Sequence, residues 1–123
     1  MNPAVAAAVI VAGAVGALVR FGVARLFAPR TVFPWAVLVV NVVGSALGGA
    51  VLALATRGSV SADIRLVIAT GLCGGLTTFS TLSVETIQLM QDGRWRTAVA
   101  SIAANFALGI GCAAGAFALV LAL

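Results

Sequence analysis

The sequence predicts an all-α membrane protein of four transmembrane helices, the third broken near its middle. Three observations carry that prediction. Hydrophobic residues make up 63% of the chain and charged residues 8%, where a soluble domain carries about 25% charged. Four apolar stretches each exceed the roughly 20 residues needed to cross a hydrocarbon core of about 30 Å. Within the third, the run Gly71-Leu-Cys-Gly-Gly-Leu-Thr-Thr-Phe-Ser-Thr-Leu-Ser-Val-Glu85 sets glycines and hydroxyls at membrane depth. An unpaired backbone group in hydrocarbon costs several kcal/mol, so a break there has to be buried in protein or line a polar path.

The elements follow in order. The first helix runs over about 3–27; it is apolar and rich in small residues, but it lacks the basic leading region of a signal peptide, its first charge being Arg20. It reads as a retained span. The second covers about 34–56, the third about 64–91, and the fourth about 95–122. Together they predict a single four-helix transmembrane domain over 1–123. Cys73 and Cys112 lie in the third and fourth helices without metal-ligand spacing and read as small packing residues.

All seven basic residues are arginine, so the net charge of +4 reflects a few loop charges and not a nucleic-acid surface. Arg25, Arg30, Arg94 and Arg96, with Arg20 nearby, gather at the loops after helices 1 and 3, while Arg57 and Arg65 belong to the loop after helix 2. By the positive-inside rule the first two loops lean towards the cytoplasm. The lean is modest, and insertion in both directions stays open.

Small residues recur at packing spacing in Gly44-x-x-x-Gly48, Gly71-x-x-x-Gly75 and Gly111-x-x-x-Gly115. Polar residues share faces with them. Asn41 lies on one face with Gly44 and Gly48, and Ser101 with Asn105 and Gly109; beyond the break, Phe79, Leu82, Ser83 and Thr86 do the same. Polar groups at such depth face the bundle interior and find partners. Interhelical locking alone explains any one of them; three such stripes point to a lined pathway. Four short helices enclose little by themselves, which predicts self-association, most simply a dimer.

The polar inventory favours a small anion. Only Asp63, Glu85 and Asp92 are acidic, and there is no lysine or histidine. Asn amides, Ser and Thr hydroxyls and Arg20 are donors, and an aromatic ring such as Phe79 is positive at its rim. No nucleophile–base pair or metal cluster can be assembled, so catalysis is not expected.

The pieces Gly16-Ala-Leu-Val-Arg20-Phe21, Asn41-Val-Val-Gly44-Ser-Ala-Leu-Gly48 and Gly74-Gly-Leu-Thr-Thr-Phe79-Ser-Thr, in that order, resemble the Fluc/CrcB fluoride channels over essentially the whole chain. The resemblance implies a passive fluoride-selective channel in the cell inner (plasma) membrane that exports cytoplasmic fluoride and so confers resistance. It implies a dual-topology antiparallel homodimer with two anion pathways. It also implies a structural sodium ion held by backbone carbonyls, here those of Gly74 and Thr77. Asn41 and Phe79 would line the pathway, Ser83 and Glu85 would lie alongside it, and Arg20 would stand in a vestibule.

Three positions depart from the family pattern. Leu82 stands where a second phenylalanine is usual, and Ser101 and Asn105 replace a tyrosine and a serine. One ring edge is lost, while Asn105 offers two donors where a hydroxyl offers one. These changes keep a second arrangement open, in which the chain pairs with a paralogous subunit. A four-helix multidrug-type exporter would need a glutamate in helix 1, where only Arg20 is charged among residues 3–24. A purely structural protein leaves the Gly-Gly-Leu-Thr-Thr-Phe-Ser-Thr run unexplained.

Overall fold

The computed structural model describes residues 2–27 and 32–123. Arg30, one of the loop charges counted above, lies outside them. The chain forms α1 (Pro3–Phe27), α2 (Trp35–Thr56), α3 (Ala62–Arg65), a π-helical stretch (Leu66–Cys73), α4 (Gly74–Leu76), α5 (Phe79–Gln91) and α6 (Trp95–Ala122). The segment from α3 to α5 is one interrupted span, Ala62–Gln91, and with α1, α2 and α6 it makes four spans long and apolar enough to cross a membrane. The protein is a multi-pass membrane protein.

The ends of these elements have local causes. The third span starts at Ala62, two residues before the boundary read from hydropathy, because Ser61 caps it by accepting from the Ile64 N–H at 3.2 Å. Helices α2 and α5 both stop at a glycine in the left-handed region, Gly58 at φ 73° and Gly93 at φ 74°. The next N–H reaches back five residues in each case, Ser59 to Leu54 O at 2.9 Å and Arg94 to Leu89 O at 2.8 Å, which ties off otherwise orphaned carbonyls. Arg57 Nη1 donates to Val120 O at 2.7 Å and so caps the far end of α6.

Packing follows two parallel pairings. On α2 and α6, Asn41 meets Asn105, and one turn further a Cβ at Gly109 would touch Ser45. A turn beyond that, a Cβ at Gly49 would fall 2.1 Å from Ala113 O. On α1 and the third span, a Cβ at Gly75 would fall 2.1 Å from Gly13 O, and one at Gly71 2.8 Å from Val9 O. The backbones therefore approach where no side chain intervenes. Contacts that advance together along both chains mean that α1 runs with the third span and α2 with α6. The loops after the first and third spans thus share one end of the bundle.

Two expectations about small residues need correction. Gly44 does pack closely, since a Cβ there would meet Thr77 Cγ2, but Gly48 faces open space and Gly49 makes the approach to α6. Gly111 and Gly115 also face open space. The buried residues of α6 are instead Ala98, Ser101, Asn105 and Gly109, the face read from its polar stripe. Most of the outer surface of α1 and α6 is apolar and exposed, including Ile10, Leu18, Ile110 and Leu119.

Candidate functional site

The third span opens at Thr77 and Thr78, which are extended at ψ 157° and 123°. The glycines just before them stay helical: Gly74 has φ −63° and ψ −38°. Gly75 makes the close approach to α1, whereas Gly74 faces open space, and the break itself falls on the threonine pair. Thr77 closes the first half by donating both N–H and Oγ1 to Cys73 O at 2.9 Å each. Thr78 opens the second half as its N-cap, with Oγ1 accepting from the Thr81 N–H at 3.1 Å.

Three backbone polar groups at the break find partners on other spans. Arg20 Nη1, on α1, donates to Thr77 O at 3.0 Å. Asn41, on α2, pairs with both backbone groups of Thr78: its Oδ1 accepts from the N–H at 2.7 Å and its Nδ2 donates to the carbonyl at 3.1 Å. The second Nδ2 hydrogen of Asn41 goes to Asn105 Oδ1 on α6 at 2.9 Å. Asn105 Nδ2 in turn donates to Ser101 O at 2.9 Å. All four spans thus converge on one irregular point, and the desolvation penalty of non-helical backbone at this depth is met by side chains. Thr78 N–H is the group that an unbroken helix would direct to Gly74 O. Its diversion to Asn41 takes the Gly74 carbonyl out of the ladder, on an exposed face of the chain.

Three cavities follow one another along α5. The largest, about 360 Å³, is lined by Asn41, Thr78, Phe79, Leu82 and Asn105 among others. The second, about 280 Å³, shares Thr78 with the first and adds Arg20, Thr81 and Glu85. A third of about 190 Å³ shares Glu85 with the second and continues past Gln88 to Asp92, at the end of the span. Polar residues thus mark a track from that end of the third span to its middle. The N-terminus of α5, which carries the positive end of its macrodipole, sits at the break.

Six of the eight side chains predicted for a pathway line this track: Arg20, Asn41, Phe79, Leu82, Glu85 and Asn105. Phe79 is 72% exposed, so its ring forms an open wall of the first cavity, whereas Leu82 is 5% exposed. Glu85 Oε2 is buried and has no hydrogen-bond partner among the described residues. Ser83 and Ser101 stand apart from the three cavities. Ser83 Oγ turns back to Phe79 O at 2.9 Å. Ser101 is fully buried, and its hydroxyl has no partner among the described residues. Sequence reasoning missed Thr78 and Thr81 as side chains of the track; the signal available was a threonine followed three residues later by another hydroxyl just after a helix break.

Comparison with known proteins assigns the family. The family model described as "CrcB-like protein, Camphor Resistance (CrcB)" matches residues 7–117. The chain belongs to the CrcB family. Among its relatives, the "Fluoride-specific ion channel FluC" of Roseiflexus sp. (strain RS-1) is 46% identical over 106 residues, covering 84% of this chain and 86% of that protein. "Fluoride-specific ion channel FluC 1" of Thermobifida fusca (strain YX) is 43% identical over 105 residues, 84% of each chain. The protein of Shewanella loihica (strain ATCC BAA-1088 / PV-4) that bears the FluC name is 41% identical, covering 81% of this chain and 82% of its own. The CrcB match covers most of α1, all of α2 and the interrupted span, and most of α6, so every residue of the track up to Asp92 lies inside it.

Proposed function

We propose that the protein is a passive, fluoride-selective channel subunit of the cell inner membrane, not an enzyme, and that it lets cytoplasmic fluoride leave down its gradient. The observation that carries this reading is the polar track that meets the break, together with membership of a family whose relatives bear the name of fluoride-specific channels. Fluoride is small and strongly hydrated. A path for it must replace water by several closely spaced donors without the tight hold of a fixed ammonium. Arg20 is anchored on Thr77 O in the second cavity, where its charge raises the local anion concentration. Thr78 and Thr81 come next, followed by the positive end of α5 and the Phe79 ring, whose edge carries positive potential.

The working unit in this reading is an antiparallel, dual-topology homodimer. Its support is the open outer wall of the first cavity at Phe79 and the large apolar surface left on α1 and α6; a second copy would supply the missing wall. A structural sodium ion fits the residues present, since Gly74 O is released from its helix and a carbonyl can accept from Arg20 and still offer a lone pair. Gly74 and Thr77 would hold such an ion, and it would tie the two broken spans together. Ser83 lies beside the track on this reading, and Ser101 supports it only by holding Asn105. Leu82 in the first cavity is the specific feature that favours pairing with a paralogous subunit instead.

Growth of a bacterium deprived of its own fluoride exporters tests the proposal. Expression of this chain alone restores growth in millimolar fluoride if the homodimer conducts. Failure to do so despite correct membrane insertion refutes a self-sufficient channel, and recovery on adding a second CrcB-family chain establishes the paired form.

A further inference from the structure

A groove of about 300 Å³ lies between the first turns of α1 and the start of the third span, at the opposite end of that span from the mouth of the track. Its origin is the spacing of the two helices. Gly71 and Gly75 let the third span touch the α1 backbone at Val9 and Gly13. One to two turns earlier the third span carries Ile64, Val67 and Ile68 where glycine would allow contact, and α1 carries Ala4 and Ala8. Bulk on one helix holds the backbones apart, and small side chains on the other leave the gap unfilled. Among the described residues that line it, only Asp63 is polar. Asp63 is exposed in the first turn of the span, at the level of lipid headgroups. Its carboxylate has no hydrogen bond or ion pair among the described residues. Arg65 does not line the groove, because residues two apart on a helix point to different sides.

We propose that this groove binds a membrane lipid with a primary-ammonium headgroup, phosphatidylethanolamine, with one acyl chain between α1 and the third span and the ammonium on the Asp63 carboxylate. The order of chemistry along the groove carries the choice. Apolar walls run from the rim towards the bilayer centre, and one unpaired anion stands at the rim. That order matches an amphiphile with a cationic tip, whose buried methylenes add favourable transfer energy. A primary ammonium brings three N–H donors to a carboxylate. A choline headgroup has the charge without those donors, and anionic phosphatidylglycerol meets Asp63 with repulsion. The site is independent of the fluoride reading, since it lies outside the track and needs only a membrane-spanning chain.

The test is native mass spectrometry and thermal unfolding of the detergent-purified protein, with dioleoyl phosphatidylethanolamine, phosphatidylcholine or phosphatidylglycerol added in turn. Wild type retains phosphatidylethanolamine, and is stabilised by it, in preference to the other two. Asn at position 63 keeps a short polar side chain in the first turn but removes the charge. In Asp63→Asn, phosphatidylethanolamine binding therefore weakens about three- to fivefold, the scale of an exposed ion pair, and the preference over phosphatidylcholine disappears. Ala4→Phe, at an exposed position, fills the groove and lowers lipid retention while the protein stays folded. Equal binding of all three lipids by wild type overturns the proposal. So does an Asp63→Asn protein that unfolds earlier by the same amount in every lipid with its preference intact, which assigns Asp63 to the helix N-terminus alone. Wild type that retains no lipid, and whose dimer is weakened by Ala4→Phe, assigns the groove to a second copy of the chain and also overturns it.

Discussion

Replacing Asn41 by aspartate changes one atom and reverses the electrostatics of the break. The Nδ2 that donates to Thr78 O at 3.1 Å and to Asn105 Oδ1 at 2.9 Å becomes an oxygen facing two oxygens. Two acceptors lose their donor at once, and each buried orphan costs about 1–3 kcal/mol. The remaining bond from the Thr78 N–H, 2.7 Å in the native protein, gains strength from the carboxylate charge and returns about 1 kcal/mol or more. The net loss is about 1–5 kcal/mol, or a roughly 5- to 4000-fold fall in the population holding the native break, at about 1.4 kcal/mol per tenfold. Fluoride efflux from liposomes and thermal aggregation in detergent both read this change. Protonation of the new carboxyl restores one donor, so part of the lost flux returns in acidic buffer. Efflux and melting equal to wild type at neutral pH would refute the reasoning that Asn41 holds the break.

Other perturbations follow from the same geometry. Gly75→Ala drives a Cβ to 2.1 Å from Gly13 O, a backbone atom that cannot turn aside; folded protein is lost, whereas Gly111→Ala, facing open space, preserves the thermal stability of the fold. Arg20→Met leaves Thr77 O without its donor, and flux falls about tenfold, the equivalent of a lost hydrogen bond of about 1–2 kcal/mol. Leu82→Phe places an aromatic edge in the first cavity, and fluoride efflux stays equal or rises; a fall would show that the larger ring blocks the path.

Much of this architecture was legible in the chain because a bilayer restricts what backbone can do. Uninterrupted apolar length located the four spans, and the polar stripe Ser101, Asn105, Gly109 marks the buried face of α6. Glycines were less informative. The sequence cannot distinguish Gly48 from Gly49, yet one faces open space and the other meets Ala113, because helix rotation is set by the whole interface. The Gly-Gly step drew attention to the right segment, but the break falls two residues later. There Asn41 offers a ready-made partner for both backbone groups of Thr78, a pairing between residues 37 apart that no local pattern encodes. The π-helical stretch Leu66–Cys73 had no sequence signal at all. The link from Asn41 to Asn105 was hidden for the same reason as the clamp on Thr78: each asparagine could be seen to need a partner, but not which one.

The most direct measurement is anion efflux from liposomes that contain this polypeptide alone, followed with fluoride and chloride electrodes in parallel. A fluoride-selective channel empties the vesicles of fluoride rapidly while chloride stays inside. Vesicles that retain both ions, despite folded protein in the bilayer, would contradict the claim that the track along the broken span conducts.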